Sequence, residues 1–455
     1  MRGSRTGVAK ILGILLFGMI VITALPDTAR GQGESHNDGS VAADHANDHR
    51  ARIVSFSVEL PDDTLTYPSY LVNIPDEHTT LLPLFNWLHP WQESNHSYLL
   101  FGSSKTSKTG PGGAVVLETT DLVTFTAATD KGYAEQVMVP PVLFTSCDPA
   151  FDTEFDENYS APGSVVQDPT LPPGNLIMIY EAENHCPGGT NQQPYYATVG
   201  FARSLDNGKT WPPPANGPLG NATRHPVLKG PVSEPTKNTS APLGDAIPSA
   251  FVDGEFIYVA YAYHAPGLSG NLIRVARASL RGGDHGFDGY EHSGASDSDD
   301  APIQFYKWNN GAFSEPGIGG VDTAVLPDTG CLGTRMMPSI SYNDDLRLYM
   351  MIFVCNTDSE DGTASWFYAT ATSLERQDWS VPELILNSQQ YVTSPCNLNA
   401  TPPTGSSFDG FYPSFMSPNA AAGHLKLSGI AFLQNGCDTG ARVFASRKFT
   451  IAVQK

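Results

Sequence analysis

The sequence predicts an all-β chain folded as one ring of five similar antiparallel sheets, and three observations carry that expectation. The first is composition. There are 43 Gly and 36 Pro among 455 residues, a load that long helices tolerate badly, because Pro lacks an amide donor and Gly loses the most backbone entropy on ordering. The second is a repeat. Ala161-Pro162-Gly163-Ser164-Val165, Ile247-Pro248-Ser249-Ala250-Phe251, Met337-Pro338-Ser339-Ile340-Ser341 and Tyr412-Pro413-Ser414-Phe415-Met416 each open an apolar stretch with Pro and a small residue, the Pro residues lying 86, 90 and 75 positions apart. A weaker copy, Leu82-Pro83-Leu84-Phe85, precedes Pro162 by 79 residues. The third is that two further runs rich in β-branched and aromatic residues follow each copy, which is the pattern of a repeated multi-stranded unit.

The elements follow in chain order. Arg2, Arg5 and Lys10 precede an apolar run over 11–25, then Ala29-Arg30-Gly31, so residues 1–31 read as a secretory signal peptide. The run is short for a membrane span, which needs roughly 20 residues, and no later segment is long and apolar enough to cross. Residues 32–50 mix Gly, Asp, Asn and His without apolar periodicity and read as a disordered linker. Residues 51–455 then form a single domain. In 53–60, Val54, Phe56, Val58 and Leu60 alternate with Ser55, Ser57 and Glu59, a half-buried strand that could share a sheet with the apolar C-terminal run 449–453. Each repeated Pro is expected at the first residue of a strand, where no ladder bond is lost. Second strands are expected at 98–102, 175–181, 255–263, 347–354 and 425–433, and third strands at 114–117, 198–203, 272–278, 366–372 and 441–446.

Several third strands lead into a polar turn and an aromatic. Ser204-Leu205-Asp206-Asn207-Gly208-Lys209-Thr210-Trp211 agrees at every fixed position with S-x-D-x-G-x-T-W, and so resembles the Asp-box of sialidase-type β-propellers. Thr120-Asp121-Leu122 before Phe125 resembles the S-x-D-L-x-x-W hairpin of five-bladed glycosidase propellers of the arabinanase and fructosidase kind. The resemblance implies a five-bladed β-propeller of four-stranded antiparallel sheets, with a six-bladed sialidase-like ring as the alternative. The Asp-box motif is a turn whose Asp ties down backbone donors while its aromatic packs between sheets, so it speaks to architecture and not to chemistry.

All six cysteines lie beyond the leader, and an even number in an exported chain favours disulfides. In an antiparallel pair the entry of one strand lies beside the exit of the next. That geometry selects Cys147 with Cys186, Cys331 with Cys355, and Cys396 with Cys437. No C-x-x-C pair exists, so zinc is not expected, and neither is any cofactor. The acidic stretch 283–300, with Asp284, Asp288, Asp297, Asp299 and Asp300, offers oxygen ligands for a structural calcium, though it reads better as a solvated loop.

Chemistry is sought where strands enter and leave the ring axis. Three residues before the repeated Pro stand Tyr159, Asp245 and Arg335, with Asp409 beside the equivalent Gly410 and Tyr412 just before Pro413. At strand exits stand Glu181, Glu183 and His185 in one unit and Tyr261, Tyr263 and His264 in the next. Carboxyls paired with polar and aromatic groups suit glycosidic bond cleavage, in which one protonates the leaving oxygen and a second acts as base or nucleophile. Asp245 is the candidate nucleophile or base and Glu181 or Glu183 the candidate acid. The sialidase resemblance implies a Tyr nucleophile, for which Tyr159 is the counterpart. Arg335, His185, His264, Tyr261, Asp409 and Tyr412 are the candidate substrate contacts.

Structural readings stand beside these. Asp245 could tie its strand entry, Arg335 could pair with acidic loops, Glu181 and Glu183 could be a solvated stripe, and the two His could be hydrogen-bonded loop residues. The net charge of −21 argues against nucleic acid. A glycan or polysaccharide is the expected partner of a monomeric, secreted protein, with periplasm or cell surface as alternatives. A non-catalytic carbohydrate- or protein-binding propeller is the alternative function. Sequons at Asn95, Asn158, Asn221, Asn238 and Asn399 matter only where exported proteins are glycosylated.

Overall fold

A computed structural model of the chain describes residues 52–59, 63–64, 87–88, 98–104, 113–140, 155–185, 195–211, 224–232, 243–280, 303–331, 333–356, 364–387, 408–418, 420–436 and 442–454. The expected leader, linker and acidic loop lie outside them, as do Cys147, Cys186, Cys396 and Cys437 and the sequons other than Asn158.

Strands β1 (Arg52–Val58) and β2 (Asp63–Thr64) come first. The first sheet holds β3 (Trp87–Leu88), β4 (Tyr98–Ser104), β5 (Gly113–Thr119) and β6 (Thr126–Ala127). The second holds β7 (Tyr159–Gln167), β8 (Leu176–Asn184), β9 (Tyr196–Ser204) and β10 (Arg224–Leu228). A third antiparallel group, called the third sheet below, holds β11 (Leu243–Asp253), β12 (Phe256–His264), β13 (Ile273–Ser279), β14 (Tyr306–Asn309) and β15 (Ala312–Pro316), and is joined to the second where the start of β11 pairs parallel with the start of β9. The fourth holds β16 (Thr334–Asn343), β17 (Leu348–Asn356), β18 (Ala364–Ala371) and β19 (Glu383–Leu386), with the short β21 (His424–Leu425) running parallel to the end of β16. The fifth holds β20 (Phe408–Met416), β22 (Ser428–Gly436) and β23 (Arg442–Gln454). Within each sheet, neighbours in the meander pair antiparallel. Strand β1 lies on the far side of β23, with Phe56 opposite Ile451, so the start and end of the described chain share one sheet.

Apolar side chains on both faces of the strands explain why runs such as Leu176-Ile177-Met178-Ile179-Tyr180 are buried without alternation. Each sheet packs on the next through its own cluster. Phe101 of the first sheet meets Trp211 of the second edge-on at 6.2 Å. Ile179 and Phe201 of the second join Val259 and Ala276 of the third, and Phe251 and Tyr258 of the third join Met351 and Phe353 of the fourth. Trp366 of the fourth packs on Phe415 of the fifth, and Met416 and Phe432 of the fifth share a cluster with Leu99 and Phe101 of the first. Packing therefore returns to its starting point: the chain is a β-propeller.

The repeated Pro residues sit elsewhere than expected. Pro162, Pro248, Pro338 and Pro413 lie inside β7, β11, β16 and β20, at interruptions of register between Pro162 and Ser164, Ala246 and Ser249, Met336 and Ser339, and Phe411 and Ser414. A bulge removes the ladder bond that Pro cannot donate, so mid-strand Pro is accommodated there as well as at a strand start. The residues before three of them, Ile247, Met337 and Tyr412, take φ of 54°, 56° and 53°. Left-handed backbone is costly for bulky side chains, which marks these bulges as strained points held by their neighbours. The serines of these motifs link one inner strand to the next. Ser164 Oγ accepts the Ala250 N–H at 2.7 Å and Ser249 Oγ accepts the Ile340 N–H at 3.0 Å.

The turn at 204–211 is built by its own side chains. Asp206 accepts the Thr210 N–H at 2.9 Å and the Thr210 hydroxyl at 2.7 Å, while Ser204 Oγ accepts the Gly208 N–H at 2.9 Å. Cys331 and Cys355 form a disulfide with Cα atoms 6.1 Å apart, the pairing that hairpin geometry selected.

Candidate active site

Strand β8 brings Glu181 and Glu183 to the same face at its exit, because side chains two apart on a strand point the same way. Register sets Tyr159 of β7 opposite Glu183 and Ala161 opposite Glu181. Strand β8 runs on to Asn184, past the expected end at 181, which carries Glu183 into the ladder. Other sheets complete the surroundings. Ser103 at the end of β4 donates to the Tyr159 hydroxyl at 2.8 Å. The backbone N–H of Ile247, at the β11 bulge, donates to Glu181 Oε2 at 3.0 Å. Tyr412 of β20 packs against Tyr159 and Ala161. His185 Nε2 meets Glu183 Oε2 at 2.5 Å, and its ring lies 4.9 Å from that of Tyr195.

Burial dominates the electrostatics. Glu181 is 6% exposed; burial and the neighbouring Glu183 raise its pKa well above the carboxylate range, against the pull of the Ile247 N–H. Burial pushes Glu183 up to about 8, and its hydrogen bond with Glu181 opposes that rise. The two carboxyls titrate as a coupled pair, and burial drives both toward the protonated form. Tyr159 and Tyr195 are also raised well above the ordinary phenol value, first by burial and then by the two carboxyls. A carboxyl pair kept protonated by burial and walled by tyrosines can deliver a proton to a bound oxygen, which is chemistry a solvated stripe could not perform.

Asp245 belongs to a second network. Lys307 Nζ donates to its Oδ2 at 2.9 Å, and both side chains are fully buried. Asp322 lies 3.6 Å from the same ammonium, receives the Tyr261 hydroxyl at 2.6 Å, and takes the Arg274 Nε–H at 2.9 Å. Burial outweighs Lys307 and raises Asp245 to about 6. Lys307 is not among the residues that the sequence singles out, although a lone Lys within Phe305-Tyr306-Lys307-Trp308 is the signature of a buried cation.

The remaining candidates are dispersed. Arg335 donates to the carbonyls of Pro327 at 2.6 Å and Cys331 at 2.8 Å, and so ties down the loop that carries the disulfide; its acidic neighbour is Asp328 at 3.6 Å. His264 ends β12, where burial lowers its pKa to about 4. Asp409 lies in β20, and its side chain is outside the described residues. Asn158 is fully buried and its Oδ1 accepts the His185 N–H at 2.7 Å, so this sequon cannot meet a glycosyltransferase in the folded chain. Among the described residues no cluster of His, Cys, Asp and Glu is arranged to hold a metal.

No protein-family model and no curated protein matches this chain. Among solved structures it is similar to the catalytic domain of a GH62 alpha-L-arabinofuranosidase from Coprinopsis cinerea, at 11% identity and a TM-score of 0.41, over 88% of this chain and 98% of that one. It is similar to a putative exo-beta-1,3-galactanase from Bifidobacterium bifidum at 13% identity and a TM-score of 0.42, over 88% and 96% of the two chains. A GH43 endo-arabinanase from Bacillus licheniformis aligns at 12% identity and a TM-score of 0.40, over 82% and 96%. Likenesses this distant carry no argument about this chain, whose fold rests on its own strand pairing.

Proposed function

We propose that this protein is a secreted glycoside hydrolase in which Glu181 and Glu183 carry the proton chemistry. The observation that carries the reading is the buried, proton-sharing carboxyl pair at the exit of β8, bordered by Tyr159, Tyr195 and Tyr412. A glycosidic oxygen entering the site replaces Glu183 as acceptor of the Glu181 proton. The bond from that oxygen to the anomeric carbon breaks as the proton arrives, and water adds to the carbon and releases its proton to solvent; Glu183, hydrogen-bonded to Glu181, holds the acid in place, since an opposed base would stand roughly 6.5–9.5 Å away. Tyrosines kept neutral by burial offer hydroxyls to the sugar and ring faces to its C–H groups. Asp245 is committed to Lys307 and takes no proton step in this scheme. The disulfide, and the lack among described residues of a helix able to cross a membrane, are compatible with secretion.

Glu181→Gln and Glu183→Gln, assayed on a panel of neutral and acidic glycans, are expected to lose on the order of 10²–10⁴ in kcat. Wild-type turnover is expected to fall as pH climbs past about 8, where the coupled pair begins to lose the protons it delivers. Unchanged turnover in both variants overturns the assignment. A wild type that cleaves nothing yet is retained by glycans on an array identifies a binding module.

A further inference from the structure

Glu181 and Glu183 lie two residues apart on one strand face and both are desolvated, so the strand alone gives no reason for them to differ. Their partners differ. Glu181 receives a neutral backbone N–H from Ile247, on the inner strand of the next sheet. Glu183 Oε2 lies 2.5 Å from His185 Nε2, which is an N–H donor in the tautomer that carries its proton there. His185 itself is held from two directions: its backbone N–H donates to Asn158 Oδ1 at 2.7 Å, and its ring packs on Tyr195 at 4.9 Å with 37° between planes. It is 3% exposed, which leaves it no swing toward solvent.

We propose that His185 is a positioning residue which, fixed by Asn158 and Tyr195, makes Glu183 the carboxyl that ionises and leaves the shared proton on Glu181. A donor held at hydrogen-bond distance favours the charged form of the carboxylate it faces, and a ring N–H at a fixed short distance does so more than a neutral amide. The titratable groups around the pair are Tyr159 from β7, Tyr195 before β9 and Tyr412 from β20, all negative only when ionised. Among these and the pair, His185 alone can supply a positive charge. The proton stays on Glu181, whose Oε–H donates a hydrogen bond to the Glu183 carboxylate, and no covalent bond changes. This role rests on the proposed function, because a carboxyl that keeps its proton to deliver is required only if the pair cleaves a bond. It also explains why a residue placed like a substrate contact in the sequence directs its Nε2 into the carboxyl pair.

The test is carboxyl titration by NMR in protein carrying side-chain ¹³C-glutamate, with the two signals assigned through Glu181→Gln and Glu183→Gln. His185→Phe is expected to raise the Glu183 midpoint by about 1 pH unit, a tenfold change in its protonation ratio. His185→Gln, whose amide can still donate, is expected to restore most of that difference. Asn158→Ala, which frees the His185 backbone, gives the same direction should the Phe variant not fold. Unmoved midpoints in folded His185→Phe or Asn158→Ala overturn the positioning role. If the midpoint moves but Glu181→Gln keeps full turnover, the asymmetry stands and the glycosidase reading falls. If Glu181→Gln abolishes turnover while the midpoint stays, the reverse holds.

Discussion

At the scale of single residues, the dominant fact is the cost of desolvating carboxyls. Glu183 is pushed up to about 8 and Glu181 also upward, so the folded chain binds protons that the unfolded chain releases near the ordinary glutamate value. A carboxyl raised on folding contributes least where the unfolded state is ionised, so stability falls as pH rises from about 4.5 through about 8. Glu183→Gln is expected to flatten that slope and to gain about 1–3 kcal/mol relative to wild type at pH 8, read by urea unfolding at several pH values. An unchanged slope would mean that the pair is hydrated. Both glutamates were visible in the sequence as strand-exit carboxyls. Their coupling was not, because it depends on Ile247 from another sheet and on how much water the tyrosines exclude.

At the scale of elements, the Pro-containing segments show how a short motif can be recognised and its place in the strand misjudged. The motif marks inner strands, as the sequence implied, but each Pro lies at a bulge, and the small residue beside it allows neighbouring inner strands to approach. Gly163 shows the tolerance: a Cβ there would stand 2.2 Å from the Pro248 carbonyl oxygen. Gly163→Ala is expected to cost about 2–3 kcal/mol through overpacking of the interface between second and third sheets, measured by thermal or denaturant unfolding. A cost below about 0.5 kcal/mol would show that the sheets can slide apart. The hairpin logic that paired Cys331 with Cys355 worked because antiparallel register is local. The placement of Arg335 against the carbonyls of 327 and 331 was hidden, since loop conformation is set by packing and not by spacing.

At the scale of the whole molecule, stability depends on closing the ring. Strand β1 covers the outer edge of β23, and Phe56 packs on Tyr368 of the fourth sheet at 5.4 Å, on Phe415 at 5.7 Å and on Phe449 at 5.6 Å. Phe56→Ala is expected to cost about 3–5 kcal/mol, read by denaturant unfolding. Deletion through residue 58 would bare the β23 edge, and self-association in light scattering is the expected outcome. A deletion variant that stays monomeric with an unchanged melting temperature would show that β1 is dispensable. Alternation made this strand legible, although Val54 lies exposed at a register shift while Phe56 is buried, and its pairing with β23 was decided only by the ring.

The sequence by itself determined the all-β class, the repeat, the strand-exit carboxyls and one cysteine pair, because each depends on short-range periodicity, hairpin geometry or the backbone limits of Pro and Gly. Only the tertiary structure decided which of those polar residues meet. Tyr159, Glu181, Glu183 and His185 come together with Ser103, Ile247 and Tyr412 from three other sheets, whereas Asp245 turns into an ion pair with Lys307. The reason is physical: pairing within a strand or hairpin is fixed by backbone period, but the partner and the dielectric around a buried charge are fixed by residues far away in the chain that the ring alone brings near.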